Sequence, residues 1–313
     1  VYGIFDKEEI TIPDPITITE TVTEKEVIMP RVDSTEIVSI AEIATKTIVQ
    51  IQVGQVNEND EFISVGGGSG VVISAEGLII TNHHVIDDAN SVRVIFEDGR
   101  MYKAEIIGSD QLTDIGLVKI ESSSLTPIVI GNSDILLVGD LAVAIGHPLT
   151  LGAAPTVTTG IVSALERRLD VGGQDMNSSV TLFGLIQTDA PITRGSSGGA
   201  LLNQRGELIG ITTAIATADV GAEGLGFAVP INLALNISQD LLDDGKVYHS
   251  FLGILGAQHF EVADDGARIF SGVEIQELYG PANDIYAIGK AGALPGDIIK
   301  KVDDKNIKTL DGL

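Results

Sequence analysis

From Ala41 to Pro230 the chain is a succession of short runs rich in Ile, Val and Thr, each broken after a few residues by Gly, Asp or Asn. "AEIATKTIVQIQVG", "GSGVVISAEGLIITNHHV", "SVRVIFEDGRMYKAEIIGSD" and "TDIGLVKIE" form a first set. A second set opens near Asp140 with "LAVAIGHP", "TVTTGIVSALERR", "LFGLIQTDA", "ALLNQRGELIGITTAIAT" and "GLGFAVP". No long helical pattern separates these runs. Closely spaced strands without crossover helices build sandwiches or barrels rather than βαβ sheets, and two sets fit two stacked barrels. "SAEG", "EDGR" and "NQRG" supply hairpin turns. The first helix read from the sequence is "PINLALNISQDLLDDGK", with Pro near its start and Gly just past its end; it closes this β region.

At 313 residues there is room for more than one domain, at roughly 100–200 residues each. Hydrophobic residues make up 44% but aromatics only 4%, with no Trp, so the core is aliphatic. Forty-four acidic against 19 basic residues give a net charge of −25 and no basic stripe, which excludes a nucleic-acid partner. Without cysteine there is neither a disulfide framework nor a cysteine-ligated zinc. Three segments are expected: an extended linker over 1–37, mixing Thr, Glu, Pro and Ile; the β-rich domain over 38–246; and a further unit over 247–313. The opening "VYGIF" is too short to span a bilayer and reads either as the end of an anchor or signal segment or as a ragged end. The last unit contains the Pro-Gly-Asp turn of "ALPGDIIKKVDDKNI", and at about 64 residues without a closing strand it is small for independent stability.

Five histidines are present: His83, His84, His147, His249 and His259. His83 and His84 follow an apolar strand, where a side chain is offered to a cleft. Adjacent histidines point in different directions and have no third ligand at helical spacing, which argues against a metal. Asp114 directly precedes another strand, a common turn position taken alone. Order raises its weight: a strand-end histidine, then a strand-start aspartate, then a glycine-flanked serine in "TDAPITRGSSGGALLN". A serine hydroxyl attacks only with a base in reach and a third group holding that base. His84, Asp114 and Ser197 fill these roles, and the glycines let backbone N–H groups turn toward an oxyanion. "GSSGG" also matches the α/β-hydrolase elbow, but there the acid and histidine follow the serine and a helix follows the strand; here a hairpin pattern follows. "VGGGSG" at 65–70 lacks the Lys-Ser/Thr of a phosphate loop and is expected to be a flexible turn into "VVIS".

These segments resemble one family, the HtrA (high-temperature-requirement) trypsin-like serine proteases, which join a double β-barrel protease to PDZ domains. "IITNHHV" is similar to its T-N-x-H-V, which selects His84 over His83; "TDIGLVKI" is similar to its aspartate segment; "TDAPITRGSSGGALLN" follows its serine stretch. The likeness runs through "VGDLAVAIGHPLTLG", "TVTTGIVSALERR", "GELIGITTA" and "GLGFAVP", over roughly residues 40 to 245. "FLGI" and "AGALPGDIIKKVDDKNI" resemble a PDZ domain, which stops at "TLDGL" before the helix of the second groove wall.

The resemblance implies a mainly β fold, a chymotrypsin/trypsin-like pair of six-stranded barrels followed by a partial PDZ domain. It implies a serine endopeptidase that needs no metal or organic cofactor. The oxyanion hole would be made by Gly195, Ser196 and Ser197. Ile192, Leu225, Gly226 and Phe227 would line an uncharged primary pocket that accepts small or medium aliphatic residues of unfolded proteins. Phe251, Leu252, Gly253 and Ile254 would bind C-terminal peptides where the PDZ unit is complete. A homotrimer is implied, as is an extracytoplasmic setting in protein quality control, tethered through a segment before Val1. The rival of another class is a catalytically silent chaperone that keeps this fold. Four residues depart from the family pattern: Arg194 replaces Pro, Ser196 replaces Asn, Gly116 replaces Ala and His147 replaces Asn. Arg194 removes a proline's fixed φ beside the oxyanion loop and is expected to shift that loop's balance between inactive and active shapes.

Overall fold

The computed structural model describes residues 34–57, 61–122, 124–147, 154–171, 180–193, 195–213, 225–279, 287–303 and 305–309. The chain divides into a unit of residues 1–33 and a unit of residues 34–313, and the elements below belong to the second.

Helix α1, Ser34–Ala44, opens this unit. It begins inside the stretch expected to be extended, and it takes up the "AEIA" expected to lead a strand. The reason is a helical spacing hidden among β-branched residues: Ile37, Ile40 and Ala44 share one face, and Ile40 and Ala44 are buried. A 3₁₀ turn, Thr45–Thr47, ends the helix, with Thr47 Oγ1 donating to the Ala44 carbonyl at 2.7 Å.

The first barrel comprises β1 (Ile48–Val56), β2 (Phe62–Val72), β3 (Leu78–Thr81), β4 (Ser91–Ile95), β5 (Met101–Asp110) and β6 (Ile115–Ile120), closed in the order β1-β2-β3-β6-β5-β4. The single-turn helix α2, His83–Ile86, follows β3. The second barrel comprises β7 (Leu141–Gly146), β8 (Thr156–Val171), β9 (Val180–Thr188), β10 (Ala200–Leu202), β11 (Leu208–Thr213) and β12 (Gly226–Pro230), closed as β10-β11-β12-β9-β8-β7. The two sets of runs are therefore two closed barrels. "VGGGSG" is not a turn: it lies within β2, paired with β1 through Gly66 to Gly70. Its glycines serve close packing, since a Cβ on Gly68 would lie 2.8 Å from the Ser197 carbonyl oxygen and from the Val85 side chain.

Strand parity explains the nearly continuous apolar runs. Val49, Ile51 and Val53 of β1 point into the first barrel with Val72, Ile79, Val92, Val94, Val118 and Ile120. Ala142, Ala144, Val162, Ile186, Leu201, Ile209 and Ala228 fill the second. The alternate residues Ile48, Val71, Ile80 and Leu117 join Val143, Ile145, Leu202, Ile211 and Val229 in a third cluster. Both faces of these strands are thus buried, each large side chain contributing about 1.5–3 kcal/mol. Helix α3, Ile231–Asp244, adds Ile231, Ala234, Ile237 and Leu241 to this shared core. Gly245, left-handed at φ 69°, caps it by donating to the Leu241 carbonyl.

Beyond a short connection, β13 (Ile254–Val262) pairs with β14 (Arg268–Leu278), which pairs with β15 (Ile298–Ile299). The Pro-Gly-Asp turn forms as expected, with Asp297 N donating to the Leu294 carbonyl and Leu294 N to Asp297 Oδ2 at 2.9 Å.

Candidate active site

Two chain reversals of the first barrel bring His84 and Asp114 together. β3 ends at Thr81 and α2 lifts His84 out of the sheet; the β5–β6 loop delivers Asp114 in a left-handed backbone conformation, φ 57°. That conformation is costly for a non-glycine residue and persists only where surrounding bonds hold it. They do: the Asp114 carbonyl accepts from His83 N at 3.1 Å and from Asn82 Nδ2 at 2.9 Å. Its carboxylate is 3% exposed by residue, a placement tolerable only with hydrogen bonds. Oδ1 accepts from His84 N at 3.1 Å and lies 2.9 Å from His84 Nδ1; Oδ2 lies 3.0 Å from that nitrogen and accepts from Thr213 Oγ1 at 3.0 Å. His83 is directed elsewhere, its Nδ1 2.9 Å from Ser109 Oγ and its Nε2 3.7 Å from Asp87. The adjacent histidines thus divide into one joined to the buried carboxylate and one joined to the barrel wall.

Ser197 sits in a loop of the second barrel that is fastened to the first. Ser69 N donates to the Ser197 carbonyl at 2.7 Å, and Ser69 Oγ donates to the Gly195 carbonyl at 2.7 Å while accepting from His147 N at 2.7 Å. Thr81 Oγ1 in turn donates to the Ser69 carbonyl. Ser196 N donates to the Thr193 carbonyl at 2.9 Å, closing a four-residue turn whose third position, Gly195, has φ 93°. A positive φ at that position favours glycine, and the bond to Thr193 engages the Ser196 N–H that was expected to serve the oxyanion hole. Thr212 Oγ1 and Gly198 N complete the fastening, to the Ser196 and Thr212 carbonyls. Gly198 has φ 82°, and a Cβ there would collide with the Ser69 carbonyl and the Thr81 hydroxyl.

The four residues expected to line the primary pocket are brought together in part. Ile192 lies on the bare Cα of Gly226, where a Cβ would come within 2.6 Å of Ile192 Cδ1. Phe227 is buried beside it in β12, and Leu225 just precedes that strand, partly buried. Arg194 and residues 214–224 lie outside the described residues. Phe251 and Leu252 are exposed, Gly253 accepts from Tyr279 N at 2.7 Å, and Ile254 begins β13 opposite Leu278.

Sequence reasoning missed Ser69, Asn82 and Thr213, which orient the others. For Ser69 and Thr213 the available signal was a polar residue within an apolar strand run, and Asn82 stands at the N-cap of α2 directly after one; all three are 0% exposed.

A trypsin-like peptidase domain model matches residues 68–211. The chain is 44% identical over 251 residues to the periplasmic pH-dependent serine endoprotease DegQ of Escherichia coli, covering 78% of this chain and 52% of that protein. It is 38% identical over 295 residues to the serine protease PepD of Mycobacterium tuberculosis, covering 88% and 59%. It thus spans about half the length of these curated relatives. Among solved structures, the HtrA-type protease AlgW with a tripeptide superposes with a TM-score of 0.69 at 33% identity, covering 88% of this chain and 85% of that one. With both barrels closed, the histidine, aspartate and serine segments following in that order, and these likenesses across most of its length, the chain belongs to the HtrA-type family of trypsin-like serine proteases.

Proposed function

We propose that the protein is a serine endopeptidase acting on unfolded protein chains. The observation that carries this reading is the His84–Asp114 pair, with Nδ1 held between two carboxylate oxygens at 2.9 and 3.0 Å. A carboxylate on Nδ1 fixes the imidazole's orientation and leaves Nε2 as the nitrogen that exchanges protons with a nucleophile. In the proposed reaction Ser197 Oγ attacks the scissile carbonyl as His84 removes its proton, forming a tetrahedral intermediate. Its oxyanion is received by the N–H groups of Gly195 and Ser197, since Ser196 N already donates to the Thr193 carbonyl. Breakdown expels the amine, protonated by His84, and leaves an acyl-Ser197 ester. Water, deprotonated by the same imidazole, then releases the acid and restores Ser197. Asp114 stabilises the imidazolium in both steps. Each oxyanion donor contributes about 2.7–4 kcal/mol to transition-state binding.

Ile192, Leu225, Gly226 and Phe227 themselves carry no charge, which supports cleavage after small or medium aliphatic residues in preference to Lys or Arg. Residues 38–246, with α1 extending them to Ser34, are read as the protease domain and residues 247–313 as a PDZ unit. Its groove would be formed by Phe251, Leu252, Gly253 and Ile254 and would take C-terminal peptides as an added strand. Assembly as a homotrimer and work in extracytoplasmic quality control follow by analogy with the family. The relatives' printed names support a periplasmic setting. Among the described residues no helix is long and apolar enough to cross a membrane.

Digestion of an unfolded-protein peptide library tests the reading. Cleavage after Val, Ala or Ile that is abolished by Ser197→Ala supports it. Binding without cleavage would favour a silent chaperone, and cleavage after Lys or Arg would overturn the specificity.

A further inference from the structure

His249 lies outside the trypsin-like region, in the connection between α3 and β13, yet its side chain reaches the loop that carries Asp114. Its Nε2 is 2.7 Å from Oδ1 of Asp110, the last residue of β5. Asp110 is itself largely buried, and its Oδ2 accepts from Thr113 N at 2.9 Å and Thr113 Oγ1 at 2.5 Å. The β5–β6 register sets Asp110 opposite Ile115, so Asp110 closes the loop that ends at Asp114. Both carboxylate oxygens of Asp110 are therefore engaged, one holding the loop residue next to Asp114 and one holding the connection.

The connection is itself placed by packing. β5 has Gly108 where the end of α3 arrives, and a Cβ there would lie 2.9 Å from Leu241 Cδ2 and 3.0 Å from the Gly245 carbonyl oxygen. From this fixed point the chain runs along the end of β5 to His249. There Leu112, Thr113, Leu182, Phe183, His249 and Ser250 border a cavity of about 290 Å³. The loop it meets needs such anchoring, because Asp114 is held in the left-handed region.

We propose that His249 is a positioning residue for catalysis: by holding Asp110 it fixes the Thr113–Asp114 segment and so the geometry of the His84–Asp114 pair. The proposal rests on the reading of Asp114 as the catalytic acid. Small displacements of such a group act on the chemical step, so the effect falls on kcat and spares KM.

The test is a double-mutant cycle with His249→Ala and Asp110→Asn, each measured for kcat, KM and Tm on a cleaved peptide, alongside His249→Gln and Asp114→Asn. Expected are a fall in kcat of about tenfold for His249→Ala, KM within about twofold, no further loss when Asp110→Asn is added, and partial recovery in His249→Gln, whose amide still donates to Asp110. An unchanged kcat in His249→Ala, additive losses, or a loss confined to KM overturns the proposal. A crippled Asp114→Asn with a normal His249→Ala rejects this inference alone. An active Asp114→Asn rejects the underlying mechanism instead.

Discussion

Thr213 at the end of β11 donates its hydroxyl to Asp114 Oδ2 at 3.0 Å, so the buried carboxylate of the first barrel is held by a side chain of the second. The Ser69 contacts to Gly195 and Ser197 run in the opposite sense, from the first barrel to the serine loop. The candidate site is therefore cross-braced, and neither barrel alone contains it. Thr213→Val keeps the shape and deletes the donor, leaving Oδ2 without that bond in a buried site. The expected outcome is a stability loss of about 1–3 kcal/mol with a several-fold lower kcat, read by thermal unfolding and peptide hydrolysis.

Gly116 occupies a position where the family pattern has Ala, and the structure supplies the reason. A Cβ there would lie 2.7 Å from Ile86 Cδ1 and 3.1 Å from the Asn82 carbonyl oxygen. Ile86 already fills the space. Gly116→Ala is expected to cost about 1–3 kcal/mol by overpacking, and adding Ile86→Val, which removes the obstructing methyl, is expected to return most of it. Equal Tm losses in the single and double variants would contradict this account.

Much of the architecture was legible because its signals are local. Turn residues between short apolar runs located the hairpins, and Pro230 and Gly245 bracketed α3. Two features were not legible. The helical spacing of α1 is carried by few residues and obscured by Ile, Val and Thr, whose local preference is for strand. The glycines of "VGGGSG" look like a flexible turn until they are seen paired with β1, with Gly68 packed against the Ser197 carbonyl. For the site, chain order singled out a histidine pair, Asp114 and a glycine-flanked serine as candidates, and the structure joins His84 to Asp114; Ser69, Asn82 and Thr213 act through contacts between residues far apart in sequence, so no single segment announces them.

Gly198 tests the serine loop's geometry. With φ 82° and no space for a Cβ beside the Ser69 carbonyl and Thr81 hydroxyl, Gly198→Ala is strained both in backbone and in packing. Activity is expected to fall at least a hundredfold and Tm to drop, with a destabilisation of more than about 2 kcal/mol. A well-folded Gly198→Ala with normal turnover would show that the loop is not fixed as described.

The two adjacent histidines make a sharp pair of variants. His83→Ala removes a contact to Ser109 on the barrel wall and is expected to cost about 1 kcal/mol of stability while hydrolysis continues. His84→Ala is expected to lower kcat by at least about a thousandfold with the fold intact by circular dichroism. Reversed behaviour would exchange their roles.

In the proposed reaction Ser197, activated by His84, is the nucleophile. Its most direct measurement is intact-protein and peptide mass spectrometry after treatment with a fluorophosphonate, comparing wild type with Ser197→Ala, Ser196→Ala and His84→Ala. Expected are one adduct per chain on Ser197, its loss in Ser197→Ala, its retention in Ser196→Ala and slow formation in His84→Ala. An adduct on Ser196, or no adduct on a folded wild-type protein that has bound substrate, would contradict it.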